Sequence, residues 1–353
     1  MIKNNNNRTL YYLWGSVFFL SVCFFASCSK EDLKNIVYPF NKPQNFPDVQ
    51  YAIAQNPVTE NGFILGRTLF YDGILSADNS ISCGNCHQQS AAFAHAAHAL
   101  SHGIHDLFGV RNAPAIQNMA FYKTFMWDGG IFNLDLQPLA PIENHVEMGE
   151  QLDHVIAKLN QSSNYKKLFK KAFGSEEINS TKMLKALSQF MVSMVSANSR
   201  YDKYVRNEPG SNFSADESAG LQLFKIHCSN CHATDLFTDQ SFRNNGLPPT
   251  TQNDQGRYPV TLNPADKYCF KVPSLRNVEV TGPYMHDGRF FTLNAVLDHY
   301  RTGVVSSVTL DPLLQHPGFN GIAITAAEAN QIISFLKTLT DDTFIHDTRF
   351  AEQ

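Results

Sequence analysis

The sequence is poor in several things that would point to other classes of protein. It has no surplus of positive charge: 28 lysines and arginines stand against 32 acidic residues, for a net charge of −4. That balance gives no electrostatic footprint for a nucleic-acid partner, and none is expected. Charged residues make up 17% and hydrophobic residues 43% of the 353 residues, with no shift in composition marking a long disordered stretch. Strand-like alternation of apolar and polar residues is scarce, which argues against a sheet-based fold. Cysteine is present, but little of it is left for disulfides once its other uses are counted.

The first 27 residues differ from the rest. Lys3 and Arg8 give a basic start, and "LYYLWGSVFFLSVCFFAS" is apolar and ends in small residues. This reads as a secretory signal, too short and wrongly flanked for a comfortable transmembrane helix. "FFASC" resembles a bacterial lipobox with Cys28 as the lipidated residue, although Phe25 stands where leucine is usual. The expectation is an exported protein held to a membrane by a lipid anchor, facing the periplasm or the cell surface. An ordinary cleaved signal or an uncleaved anchor is the alternative.

An exported chain normally pairs its cysteines. Of the seven here, Cys23 lies in the signal, Cys28 takes lipid, and Cys269 has no evident partner. The other four form two Cys-x-x-Cys-His motifs: Cys83, Cys86 and His87, then Cys228, Cys231 and His232. Each follows a similar lead-in, with Gly66 and Phe70 before the first and Gly220 and Phe224 before the second, which reads as an internal duplication. Cys-x-x-Cys-His is the attachment signal for c-type haem, two thioethers plus a proximal histidine. Two dithiols could instead share a structural zinc, but they would have to converge across a long intervening segment, and both histidines would be surplus. Two covalent haems are the expected cofactors.

Helical periodicity dominates elsewhere. Leu152, Val155, Ile156 and Leu159 share one helical face, as do Leu184, Leu187, Met191, Met194 and Val195. "AEANQIISFLKTLT" is a further amphipathic helix, and Thr292 reads as the N-cap of "LNAVLDHY". The expected fold is all-α, two cytochrome-c-like haem domains with little strand. The expected division is a signal at 1–27, a linker at 28–59, an N-terminal haem domain at 60–205 and a C-terminal haem domain at 206–345. The polar stretch "RNEPGSNFSADE" marks the boundary.

Between and after the haem motifs stand Arg-Asn-Ala-Pro (111–114), Trp-Asp-Gly (127–129), Glu-Met-Gly (147–149), Val-Pro-Ser-Leu-Arg-Asn (272–277) and Pro-Tyr-x-His-Asp-Gly (283–288). In combination with the haem motifs, from about Gly66 to Leu339, these resemble the bacterial dihaem cytochrome c peroxidases and their MauG-like relatives. The resemblance implies a peroxidatic N-terminal haem and an electron-transfer C-terminal haem. It implies reduction of hydrogen peroxide with electrons from a small protein, a cytochrome c or a blue copper protein. Glu147 matches the acid–base glutamate, Gln137 the distal glutamine and Trp127 the tryptophan between the haems. Asn112 matches a side-chain ligand of a calcium ion that also takes backbone carbonyls at Thr281 and Pro283. Gly130 departs from the usual Trp-Asp-Gly-Arg, which puts any role for an arginine there in doubt.

The chemistry suits these residue types. Cleaving peroxide needs an open iron(III) and a group that moves a proton between the two oxygens, which a carboxylate in a restricted pocket can do. An amide beside it can orient the peroxide, and an indole can shorten the electron path. On its own a glutamate is usually a solvated surface charge and a tryptophan usually core. For the second haem, Tyr300 matches the position of the sixth ligand, with Met285 the alternative. A phenolate favours iron(III) and a thioether does the reverse. For the first haem the distal face is open to two readings. Many members close it with a loop histidine, near whose place His105 lies. Always-open members carry a Gly-rich loop, which Ser101, Gly103, Gly109 and Arg111 partly match. His95, His98, His102 and His105, spaced three, four and three apart, also suit a solvated stripe on one helix face. Besides the peroxidase, a MauG-like oxidase of a protein or organic substrate and a purely electron-carrying dihaem protein remain as readings, and an oligomer stays open.

Overall fold

The computed structural model describes residues 35–353. The expected signal and Cys28, the expected point of lipid attachment, lie outside the described residues. Among the described residues no helix is long and apolar enough to cross a membrane. The fold is mostly helical, as expected, with two two-stranded ribbons among the described residues: β1 (Phe242–Arg243) with β2 (Phe270–Lys271), and β3 (Gln315–His316) with β4 (Phe319–Asn320).

The internal duplication is visible as two helix pairs. Helix α1 (Glu60–Tyr71) precedes the first haem motif. Helices α2 (Leu152–Gln161), α3 (Ser163–Phe173) and α4 (Ser180–Ser193) follow it. Helix α5 (Ala215–His227) leads into the second motif, and α6 (Ala326–Lys337) closes that half. A Cβ on Gly66 would overlap the carbonyl oxygen of Ala186, so α1 can lie on α4 only with glycine there. A Cβ on Gly220 would likewise overlap the carbonyl of Gln331, and α5 lies on α6 in the same way. Four residues on from each glycine, Phe70 meets Phe190 and Phe224 meets Phe335, both at 5.1 Å between ring centroids. Pairs at this spacing share one helix face, which is why the lead-ins repeat Gly and Phe together.

Two hydrophobic cores result. The first runs from Phe46 to Met194 and also takes in Leu236 and, from the C-terminal end, Phe344 and Phe350. The second is built between Leu221 and Leu339. Val155, Leu159, Leu184, Leu187 and Met191 are buried in the first core, as their periodicity implies. Helix α4 stops at Ser193, so Met194 is fully buried from the turn beyond it. Thr292 caps its helix, accepting a 3.1 Å hydrogen bond from the Ala295 N–H.

Arg276, fully buried, holds Asp202 with two bonds of 2.9 and 2.7 Å and stacks over Phe46 of the first core at 4.5 Å. Burial alone would raise the Asp202 pKa, but the guanidinium outweighs it and holds the carboxyl below its ordinary value. Asp202→Ala would strand a buried guanidinium, and a loss of about 3–5 kcal/mol is expected in denaturant unfolding of the haem-loaded protein. Because the carboxyl pKa is depressed on folding, the wild-type contribution is present at neutral pH and lost as pH falls through the folded value. A loss under about 1 kcal/mol would contradict this account.

The histidine-rich segment departs from the helical reading. Ala92, Phe93, Ala97, His105 and Asp106 have positive φ, and the chain forms a hairpin instead. Ser101 N–H donates to Arg111 O, Gly109 N–H to Ser101 O and Gly103 N–H to Leu107 O, each at 2.9 Å. The rings stack without a helix: His95 on His98 at 4.3 Å and His102 on Phe108 at 4.7 Å. His95 is buried rather than solvated. Backbone bonds across the hairpin, which the three-four-three spacing does not encode, decide the conformation.

Candidate dihaem site

Each Cys-x-x-Cys-His motif sits at a helix edge with its histidine already oriented. Ser82 and Asn85 cap the turn Cys83–Cys86, with Ser82 N–H donating to Asn85 Oδ1 at 2.7 Å. His87 Nδ1 donates to the carbonyl of Phe93 at 2.9 Å, and His232 Nδ1 to the carbonyl of Phe237 at 3.0 Å. A carbonyl can only accept, so both Nδ1 atoms carry the proton and both Nε2 atoms keep a free lone pair for a metal. Burial pushes both imidazoles towards the neutral form that a ligand requires. Phe93 and Phe237 both stand at positive φ, and each packs on the phenylalanine of its own lead-in. Sequence reasoning missed these two carbonyls, because they lie six and five residues beyond their histidines and carry no side-chain signal.

Both motifs open into one cavity of about 1040 Å³, lined by Cys83, Cys86, His87, Cys228, Cys231 and His232. Its size, its apolar walls and two preset histidines fit two covalent haems.

Gln137, Glu147 and Trp127 line the same cavity. The carbonyl of Glu147 accepts the Ile104 N–H at 2.8 Å, tying it to the hairpin. Burial raises the Glu147 carboxyl pKa above its ordinary value, only partly offset by Ser101 and Asn144. The amide of Gln137 donates to Met126 Sδ at 3.7 Å. Trp127 Nε1 donates to the carbonyl of Asn112 at 2.8 Å, which fixes the indole against the Arg-Asn-Ala-Pro segment. His105 is exposed at the hairpin tip and is not among the cavity's lining residues, whereas His102 is.

On the other side, Tyr300 and Met285 both line the cavity and converge on one amide. Asn245 Nδ2 donates to Met285 Sδ at 3.4 Å and to the Tyr300 hydroxyl at 3.5 Å. Tyr300 lies in a π-helical turn, His299–Gly303, that extends the helix capped by Thr292. His299 points elsewhere and bonds the carbonyl of Asn245 through Nε2 at 3.0 Å. Asn245 is a further residue that sequence reasoning missed, since no motif surrounds it. His286 stacks on Phe270 at 3.7 Å, and its carbonyl accepts the Asn112 N–H at 2.7 Å.

Asn112 is buried, and both hydrogen bonds of its amide nitrogen, to the carbonyls of His98 and Ala99, are 3.0 Å. That leaves Oδ1 without a donor. Among the described residues the carbonyls of Thr281 and Pro283 accept no hydrogen bond, and both residues line the cavity with Asn112.

A helical fold that turns two c-type attachment motifs into one cavity defines a dihaem cytochrome c. The family model for di-haem cytochrome c peroxidases matches residues 60–210. The chain is 34% identical to the methylamine utilization protein MauG of Methylorubrum extorquens, over 89% of this chain and 87% of that protein. It is also 34% identical to the cytochrome c551 peroxidase of Nitrosomonas europaea, over 83% and 84%. Among solved structures, a MauG-like protein associated with microbial copper homeostasis superposes with a TM-score of 0.80 at 30% identity, covering 89% of this chain and 99% of that one. The chain belongs to the dihaem cytochrome c peroxidase and MauG family, and two c-type haems are its cofactors.

Proposed function

We propose that the protein reduces hydrogen peroxide to water at the N-terminal haem, with electrons delivered through the C-terminal haem from a small redox protein, a cytochrome c or a blue copper protein. The observation that carries this reading is a half-buried carboxylate, Glu147, close enough to Cys86 of the first haem motif to act on its thiol and lining the same cavity as the amide of Gln137. An electron carrier needs neither. Bound haem supplies an iron that accepts peroxide and stores oxidising equivalents. Glu147 takes a proton from the proximal peroxide oxygen and returns it to the departing one. Gln137 orients the peroxide through its amide, and Trp127, fixed by Asn112, shortens the path between the haems. His105 at the hairpin tip favours a first haem that is open before any reduction. Calcium held by Asn112, Thr281 and Pro283 would tie the two halves together. The protein is proposed to be exported and lipid-anchored through Cys28, facing the periplasm or the cell surface. Peroxide consumption by the purified haem-loaded protein with a reduced small cytochrome tests the activity. An EPR spectrum with no high-spin iron in the oxidised and half-reduced states would count against it.

One observation favours the second reading, a MauG-like peroxide-dependent oxidation of a protein or organic substrate. Tyr300, and not a methionine alone, faces the second haem site, with Asn245 donating to its oxygen. Ligation by Tyr300 would stabilise iron(III), so Tyr300→Met is expected to raise the midpoint potential of the second haem, a neutral thioether replacing an anionic oxygen. Spectroelectrochemical titration measures it. An unmoved potential would make Met285 the ligand instead.

A further inference from the structure

Three cationic side chains of lysine or arginine line the haem cavity: Arg111, Arg243 and Lys271. Two of them are saturated. Arg111 holds Asp254 through Nε and Nη2 at 2.6 and 2.9 Å, and Asp128 through Nη1 at 2.6 Å. Arg243 holds Asp311 at 2.8 Å and Asp239 at 2.9 Å, and its Nε donates to Ser241 at 2.7 Å. Lys271 has no ion pair with any carboxylate among the described residues. Its ammonium donates to a single acceptor, the carbonyl of Thr124, at 2.8 Å, and lies 5.1 Å from the centre of the Tyr122 ring. The nearest influential carboxylate, Asp128, is already taken by Arg111.

The side chain is not free to find a partner elsewhere. Its backbone N–H donates to the carbonyl of Trp127 at 2.7 Å, and Lys271 pairs with Phe242 across β1 and β2. The ammonium is thus held at the wall of the cavity, in contact with segments of both halves, with donors unused. A buried cation without a counter-charge is costly, and such groups are kept where something pairs them. Covalent haems bring carboxylates into this cavity, since each porphyrin carries two propionates.

We infer that the Lys271 ammonium receives a propionate carboxylate of a bound haem, completing the ion pair that no side chain of the protein supplies. Burial at the cavity wall lowers the Lys271 pKa to about 8, opposed by Asp128, so a nearby anion would favour its charged form. The inference rests on haem occupancy and is independent of which reaction the protein performs. It also gives Lys271 a consequence for electron flow. A fixed positive charge on a propionate disfavours iron(III), so it raises the potential of the haem it touches.

The test is spectroelectrochemical titration of both haems in the haem-loaded protein, for wild type, Lys271→Met and Lys271→Arg. With Lys271→Met, one haem should shift to lower potential while both remain attached, and Lys271→Arg should restore most of the shift. A purely structural anchor for Thr124 would lower the unfolding midpoint and leave both potentials at their wild-type values, which would overturn the inference. Should Lys271→Met fail to fold, Lys271→Arg alone decides. A guanidinium on the propionate should move a carboxylate band in the redox-difference infrared spectrum, and an unmoved spectrum overturns the assignment.

Discussion

Glu147→Gln is expected to lower peroxide turnover by about 10²–10⁴-fold, the usual worth of a positioned acid–base group, while both haems stay attached. That corresponds to about 2.7–5.5 kcal/mol of lost transition-state stabilisation. Glutamine keeps the shape and the hydrogen-bonding reach but cannot carry the proton, so the loss should fall on turnover rather than on peroxide binding. The pH profile gives a second readout. Burial raises the Glu147 pKa above the ordinary carboxylate value. A group that must start deprotonated works above its pKa, so wild-type turnover should fall on the acid side at a pH higher than an exposed glutamate would give. The variant should lack that limb. Turnover within threefold of wild type would remove Glu147 from the chemistry.

Replacing both Cys228 and Cys231 with alanine is expected to leave a protein with one covalent haem, counted by pyridine haemochrome against protein. The two thiols are the only covalent hold on the second haem, and His232 would remain, oriented by the Phe237 carbonyl. The first haem should be unaffected in number, because its motif and its lead-in helix α1 belong to the other half. Turnover driven by a small electron-donor protein should fall severely, since the route through the second haem is broken. Two haems surviving in this variant would refute the attachment chemistry. A protein with none would mean that the second haem must bind before the first can be matured.

Much of this was legible in the chain because the chemistry is local. A c-type haem is attached by three residues within five positions, so two motifs can be read without any fold. The helices were legible for the same reason: Val155 and Leu159, or Leu184, Leu187 and Met191, carry their burial in a fixed period. The duplication was readable from Gly66 and Phe70 against Gly220 and Phe224, and the structure supplies the reason, a close helix crossing that tolerates no Cβ.

Other features were not legible, because they depend on contacts between distant segments. The histidine spacing suited a helix, yet the hairpin won through bonds among Ser101, Gly103, Leu107, Gly109 and Arg111. Asn245 lies 55 residues from Tyr300 and 40 from Met285, and only folding brings its amide to both. Lys271 carries no signal in the sequence, and its lack of a carboxylate partner shows only once Arg111 and Arg243 are seen to be filled.

By itself, then, the sequence determined the cofactors, the helical class, the twofold internal repeat and the family, since each rests on residues near one another or on a recurring period. Tertiary structure alone decided which groups face the cavity. It left His105 at an exposed tip, turned Glu147 and Gln137 into the cavity that both haem motifs share, and set Tyr300 beside Met285 under one amide. The physical reason is that a side chain's reactivity is set by what surrounds it. Burial, a preset hydrogen bond and a missing counter-charge are properties of neighbours brought from far along the chain.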